Sequence, residues 1–197
     1  MKGSRRLKNI SLLGAIVLSG LTLLSWTSQW FTLTLGGSEK GHAPLTVTGE
    51  AAAPGLVALA LAGLALVAAL AIAGPVFRAV LGVVQVLIGF TVGLSSILAI
   101  GDPIAASTSV VTAATGVSGK ESVARLVASY TQTAWPWLAA IIGLLTLALG
   151  IFVLVTSRHW PGSSRRYQPA GSEPAEPGAN PVSDWDTLSG GSDPTSR

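Results

Sequence analysis

The sequence contains no cysteine, only two histidines and very few charged residues. Only 11% of its 197 residues are Asp, Glu, Lys or Arg, against about 25% in a soluble globular domain. The absence of cysteine excludes disulfides, thiolate metal sites and cysteine nucleophiles. The few charges are missing from four long apolar blocks, which is typical of membrane spans and not of a soluble core.

The four blocks predict an all-α integral membrane protein with four transmembrane helices. Each block is close to the ~20 residues that a helix needs to cross the hydrocarbon core. The first lacks a signal-peptidase site, so we expect it to remain as an uncleaved span. In chain order the segments are a basic N-terminus (1–9), span one (10–27), an outer loop (28–52), span two (53–77), span three (79–100), an outer loop (101–133), span four (134–156) and a tail (157–197).

The basic residues predict the orientation of these spans. With both termini inside, the cytoplasmic segments hold Lys2, Arg5, Arg6, Lys8, Arg78, Arg158, Arg165 and Arg166, while the outer loops hold Lys40, Lys120 and Arg125. The positive-inside rule therefore places both termini in the cytoplasm. A pI near 9.7 then indicates contact with anionic lipid of the bilayer and no nucleic acid partner.

Five tryptophans fall at predicted span ends. Indole rings prefer the headgroup level of a bilayer, so these side chains are predicted to be interfacial anchors. They are Trp26, Trp30, Trp135, Trp137 and Trp160.

Both outer loops carry patterns of secondary structure. The segments "WFTLTL" (30–35) and "LTVT" (45–48) alternate apolar and threonine residues, which predicts a β-hairpin. In the second loop, Ser118 and Glu121 have the spacing of a capping box. Apolar residues then recur with helical period, which predicts a short amphipathic helix. They are Val123, Leu126, Val127 and Tyr130. The hairpin and the helix together would form a small extracytoplasmic cap.

Small residues line one face of several predicted spans. No charged residue or histidine lies inside a predicted span, which argues against a proton-coupled carrier and against catalysis within the bilayer. Small residues let helices approach closely, and intramolecular packing explains them best, with homo-oligomerisation or a partner helix as the alternative. The helix-packing candidates are Gly82, Gln85, Gly89, Gly93 and Ser96 of span three, and Gly143 and Gly150 of span four.

No catalytic or metal-binding set can be assembled from the sequence. His42 shares the hairpin loop with Glu39 and is near Glu50, so a weak metal site is conceivable, but the polarity of a loop explains these residues better. We therefore predict no enzyme activity, no metal and no cofactor.

The tail has the composition of a disordered segment, rich in Pro, Gly, Ser and Glu. Near its end, Trp185 and Leu188 would share a face if "SDWDTLSGGSDPT" (183–195) became helical on a partner. These two residues are candidates for a docking peptide in the cytoplasm. The alternative is a solvated tail with an incidental tryptophan.

Several stretches resemble one family along nearly the whole chain. They include "SWTSQWFTLTL", "LTVTGEAAAPGLVALALAGLAL", "TAWPWLAAIIGLL", "SRHWPGSSRRY" and "DWDTLSGGSDPT". In these the sequence resembles the actinobacterial tryptophan-biosynthesis-associated, or tryptophan operon, membrane protein family. The resemblance implies a multi-pass protein of the bacterial plasma (inner) membrane. The family is named for gene neighbourhood with tryptophan synthesis, so it supplies no catalytic residues.

Two functions remain in view. The first is a non-enzymatic accessory protein that binds a membrane or cytoplasmic protein through its cap, packing faces and tail. The second is a transporter or ligand-binding protein for tryptophan or a related aromatic metabolite. For the second, a polar path would be lined by Gln85, Thr91, Ser95 and Ser96.

Overall fold

The computed structural model describes residues 2–36 and 43–157, which lie in one compact unit. Helices and strands follow in the order α1 (Lys2–Thr27), β1 (Gln29–Leu35), β2 (Leu45–Thr48), α2 (Gly49–Ala52), α3 (Leu56–Ile72), α4 (Pro75–Gly101), α5 (Pro103–Ala106), α6 (Thr108–Thr115), α7 (Lys120–Leu126), β3 (Val127–Gln132) and α8 (Trp135–Thr156). The protein is mostly helical, with one small sheet.

Three helices are long and apolar enough to cross a membrane. They are the Arg6–Thr27 part of α1, the whole of α4 and the whole of α8. Helix α3 is also apolar, but with 17 residues it is shorter than the other three. The described residues thus confirm a transmembrane architecture with three candidate spans.

The junction between α3 and α4 differs from the predicted end of span two at residue 77. Helix α3 ends at Ile72, and both Ala73 and Gly74 have extended backbone. Pro75 then starts α4, because a proline at the first helical position lacks only an N–H that would have no partner there. Arg78, predicted to lie between two spans, is instead buried in the first turn of α4. Charged residues therefore do lie within two of the candidate spans, since the span of α1 contains Arg6 and Lys8.

Helices α4 and α8 pack against each other in antiparallel directions at very close range. A Cβ atom built on Gly89 would lie 2.7 Å from Leu147 Cα, and one on Gly150 would lie 2.7 Å from Val86 N. Further along, a Cβ on Gly143 would lie 2.7 Å from Gly93 Cα. Glycine at these positions lets the two backbones touch, since any side chain would hold them apart.

Helix α1 packs against α3 and α8. A Cβ on Gly63 of α3 would lie 2.5 Å from Ser19 Oγ, so this contact also depends on a small residue. At the opposite end of α3, Lys8 Nζ donates a hydrogen bond to Ala71 O at 2.7 Å. Helix α3 has no basic residue in its own last turn, and Lys8 supplies the positive charge that stabilises a helix C-terminus.

The three strands form one antiparallel sheet in the order β2-β1-β3. The pairing of β1 with β2 agrees with the alternation that predicted a hairpin. Phe31 pairs with Val47 and Leu33 with Leu45 on the inner face, while Thr32 pairs with Thr46 on the outer face. A bulge between Gln29 and Phe31 turns the consecutive side chains of Trp30 and Phe31 into the core.

The third strand replaces part of the predicted amphipathic helix, so that prediction was wrong beyond Leu126. Helix α7 ends there, and Val127 and Tyr130 lie in β3, paired with Leu35 and Leu33 of β1. Pairing with a distant strand overrides the local helical period. The capping box is also absent, because Gly119, with a positive φ of 94°, precedes α7 and no side chain caps that helix.

The contact between α4 and α8 predicts that substitution of two glycines one turn apart changes the stability of the protein by different amounts. We expect Gly89→Ala to lower the free energy of unfolding by about 1–3 kcal/mol, because the new methyl group meets the backbone of α8. Gly93→Ala is the matched control, since its Cβ would be 3.9 Å from the nearest atom, Ala140 O. Unfolding of the purified protein in mixed micelles, followed by tryptophan fluorescence, measures both. Equal stability of the two variants would contradict the close packing.

Candidate functional site

The sheet and the short helices around it form a folded unit, which we call the cap (residues 28–36, 43–55 and 102–134). Its inner face is apolar and belongs to the same hydrophobic core as the long helices. Trp30, Phe31, Leu33 and Val47 are fully buried there, in one cluster with Leu56 of α3 and residues of α4 and α8. The cap is therefore anchored on the helices by a hydrophobic core that both share.

Trp30 is the central anchor of the cap. Its Nε1 donates a hydrogen bond to Ser25 O at 2.8 Å, at the end of α1. Gly49 lies against this pair, and a Cβ at that position would be 2.8 Å from both Ser25 O and Trp30 Nε1. The segment "VTG" (47–49) thus supplies a glycine where the chain leaves β2 and passes close to the indole of Trp30. Fully buried, Trp30 is not the interfacial anchor that its place in the sequence predicted.

The other predicted anchors have different surroundings. Trp137 is 57% exposed on α8, where it could reach a headgroup. Trp26 and Trp135 are half-buried and pack against the hydrophobic core. Trp160 lies outside the described residues.

The outer face of the sheet is uncharged and rich in hydroxyl groups. Thr32, Thr34 and Thr46 share it with Ser129 and Thr131 of β3. Thr34 Oγ1 and Ser129 Oγ are 2.5 Å apart, so a hydrogen bond ties β1 to β3 on this face. We call these five residues the threonine face. It presents a rigid set of hydroxyl groups fixed by the sheet beneath them.

Strand β3 leaves one edge of the sheet open. Residues 128–131 are exposed on both faces of the strand, and within the described residues no strand pairs with its outer side. Thr133 N donates to Trp30 O at 3.0 Å. Because backbone groups alternate in direction along a strand, the N–H and C=O of Tyr130 and Gln132 point away from β1. Sequence reasoning missed this edge, although the alternation in "VASYTQ" was its signal.

A cleft of about 400 Å³ lies where the turn before α3 meets the end of α4 and α5. Small side chains line much of it, including Ala99 and Ala105, and its polar groups include Ser95 and Asp102. Asp102 Oδ1 accepts a hydrogen bond from Ala105 N at 3.0 Å and so caps α5. The cleft thus combines an apolar wall with one carboxylate.

Asp102 also forms an ion pair with Lys120, at the start of α7. The hydrogen bond from Lys120 lowers the pKa of the Asp102 carboxyl, and the bond from Ala105 N lowers it further. Asp102 is therefore a carboxylate at neutral pH. Both side chains remain accessible, at 65% exposure for Lys120 and 39% for Asp102.

Of the predicted packing residues, Gly89, Gly93, Gly143 and Gly150 meet as described above. Gly82 lies against Leu154, since a Cβ there would be 2.8 Å from Leu154 Cδ2. The predicted polar path is not brought together. Gln85 is buried, and neither atom of its amide has a hydrogen-bond partner among the described residues. Ser96 Oγ donates to Val92 O of its own helix at 2.8 Å. Thr91 is exposed on a different face and bonds Leu87 O. Ser95 lines the cleft instead.

Several predicted sites fall outside the described residues. These are Glu39 and His42 of the hairpin loop, and Trp185 and Leu188 of the tail. Within residues 2–36 and 43–157 no three His, Cys, Asp or Glu side chains are grouped so that they could hold a metal ion.

Comparison with known proteins gives one match. Residues 12–195 match the sequence model of a family described as "Tryptophan-associated transmembrane protein". No curated protein matches the chain. No solved structure matches it either.

Proposed function

Since this chain belongs to the family of tryptophan-associated transmembrane proteins, we propose that it is a non-enzymatic, multi-pass accessory protein of the bacterial plasma membrane. In this proposal the cap binds another protein. The observation that carries it is the cap itself, a rigid sheet fixed to the spanning helices by a shared core. A rigid surface loses little conformational entropy on binding.

The sheet also supports a topology of four spans. Strand β1 precedes α3 and β3 follows α4, yet the two strands pair directly. They must lie on the same side of the membrane, so α3 has to cross back if α4 crosses. At 1.5 Å per residue, the 17 residues of α3 give a length of roughly 25 Å, close to a hydrocarbon thickness of about 30 Å. The excess of basic residues in the N-terminal segment, the turn between α3 and α4 and the tail supports an orientation with the cap outside and both termini in the cytoplasm.

Cysteine labelling tests this topology, since the chain has no native cysteine. We expect a membrane-impermeant maleimide to label Thr46→Cys in intact cells, because Thr46 is exposed on the cap. Ser4→Cys, near the N-terminus, is expected to react only after the cells are permeabilised. Labelling in the reverse order would contradict the proposed orientation.

The threonine face is the part of the cap that we propose for recognition of another protein. It carries no charge, so binding there removes no ion from water, and its hydroxyl groups can donate or accept hydrogen bonds. The charged pair of the cap, Asp102 and Lys120, lies at the cleft and not on this face.

Photocrosslinking in cells tests the accessory role. A photoreactive amino acid at Thr34 or Thr46 is expected to give an adduct of one defined mass with a different protein, identified by mass spectrometry. The same amino acid at Gly20 is the control, because Gly20 is exposed on α1, where a Cβ would meet no atom within 4 Å. The accessory role fails if the two cap positions give no adduct beyond those of the control.

A second candidate function is the binding of tryptophan or a related aromatic metabolite. The cleft beside Asp102 supports it, because about 400 Å³ falls within the range of small-molecule sites, roughly 300–1,000 Å³. An apolar wall suits an aromatic side chain, and the Asp102 carboxylate suits an amino group. The family's description associates its members with tryptophan.

Tryptophan binding can be measured directly on the protein in lipid nanodiscs. We expect saturable binding of labelled tryptophan that Ala105→Leu weakens at least about tenfold, because an exposed cleft residue then fills part of the space. Ala113→Leu is the matched control, since Ala113 is exposed on α6 away from the cleft. Binding that is unsaturable, or equally strong in both variants, would exclude the cleft as the site.

A further inference from the structure

We propose that β3 pairs with β3 of a second copy of this chain, antiparallel and centred on Tyr130. Two caps would then share one six-stranded sheet in the order β2-β1-β3-β3-β1-β2. This inference rests on the proposed function only in taking the cap as a binding surface. It names a partner for the open edge, whereas the threonine face stays free for a different protein.

The two edges of the sheet are protected to different degrees. Strand β2 has four residues, runs directly into α2 and is packed by α6. Strand β3 has six residues, "VASYTQ", with no charge and no proline, and its one bulge, at Ala128, leaves residues 129–132 regular. Soluble and outer domains protect their free edges with charges, prolines, bulges or short strands. Beyond the bulge, residues 129–132 keep a regular and uncharged edge, to which another strand can pair.

The directions of the backbone groups set the register of the pairing. The N–H and C=O of Tyr130 and Gln132 point outward, whereas a bulge at Ala128 interrupts the alternation at the start of β3. A dyad at Tyr130 therefore pairs Tyr130 with itself and Ser129 with Thr131. All of these side chains are neutral, so the symmetric pairing brings no like charges together.

The symmetry of this pairing suits two copies in one membrane. A dyad between antiparallel strands is perpendicular to the sheet, so the same face of each half stays on the same side. The inner face of each sheet rests on its own helices. Both sets of helices therefore lie on one side of the joined sheet, as insertion of two copies in the same direction requires. A parallel pairing about a dyad would put them on opposite sides.

Tyr130 would gain most from this contact. It lies opposite Leu33 on the apolar face, but it is 47% exposed, because no strand among residues 2–36 and 43–157 lies beyond it. In the pair, each Tyr130 ring would cover the other, and aromatic pairs across strands stabilise a sheet. The exposed aromatic side chain and the open backbone edge thus point to the same partner.

Single-cysteine crosslinking tests the register. Paired residues across such a dyad have Cα atoms about 5.5 Å apart, which is within the range of a disulfide. We expect Tyr130→Cys to form a disulfide dimer of twice the 20.0 kDa chain mass when oxidised in native membranes. Thr46→Cys, exposed on the other edge strand, is the control and is expected to remain a monomer. Equal dimer formation by both variants, or none by Tyr130→Cys, would overturn the pairing.

A charge exchange identifies the partner as a second copy. Tyr130→Lys and Tyr130→Glu are each expected to weaken dimerisation at least about fivefold in nanodiscs, because like charges meet at the dyad. Coexpression of the two variants should restore mixed dimers, and Tyr130→Phe should dimerise as the wild type does. Dimers that resist both charges would overturn the inference.

The same variants separate this inference from the proposed function. If Tyr130→Lys is a monomer but its threonine face still gives the crosslinked adduct, both the dimer and the accessory role are supported. If the wild type is a monomer while Thr34 still captures a different protein, the inference fails and the accessory role stands. If the wild type dimerises through Tyr130 but Thr34 and Thr46 capture nothing, the inference stands and the accessory role fails.

Discussion

The pairing of β1 with β3 is the contact on which the rest of the structure depends. It joins residues 29–35 to residues 127–132, on opposite sides of α3 and α4 in the sequence. One sheet cannot lie on two sides of a bilayer, so this pairing constrains how many times the chain between the strands crosses it. It also completes the inner face of the cap, where the side chains of Trp30 and Phe31 are fully buried.

In the membrane-spanning part, close packing at glycines holds the helices together. In a water-soluble protein, the burial of apolar side chains has this role. Lipid tails are as apolar as leucine, so helices gain little by hiding apolar side chains from lipid. What holds α4 to α8 is the close approach at Gly89, Gly143 and Gly150, where backbone meets backbone. Large apolar side chains such as Phe90 and Leu144 are accordingly exposed on the outside of these helices.

The sequence predicted those features that depend on local pattern. The small-residue faces of spans three and four contain the glycines that meet between α4 and α8, and the alternation of threonines marked β1 and β2. The sequence pattern predicted the wrong structure where a segment pairs with residues that are distant in the chain. Residues 120–130 have a helical period, yet β1 draws Val127 and Tyr130 into a strand. Trp30 has the position of an interfacial anchor, and only the bulge in β1 turns it inward.

The boundary of α3 shows a third kind of limit. Val76 and Phe77 are as apolar as the residues before them, so hydropathy assigns them to span two. The Gly74–Pro75 pair moves them into α4 instead, because proline is favoured at the first position of a helix. The cleft beside Asp102 could not be predicted either, since its walls come from residues 52–55 and 95–106, which are far apart in the sequence.

The long separation between β1 and β3 also bears on how the protein is made. A ribosome adds roughly 5–20 residues per second, so β1 is synthesised about 5–20 seconds before the strand that pairs with it. For that time the hairpin of β1 and β2 has one edge without its native partner. Contacts so distant in sequence form late in folding. Closing of the cap is therefore a late step of folding, which cannot begin before α4 and β3 have been synthesised.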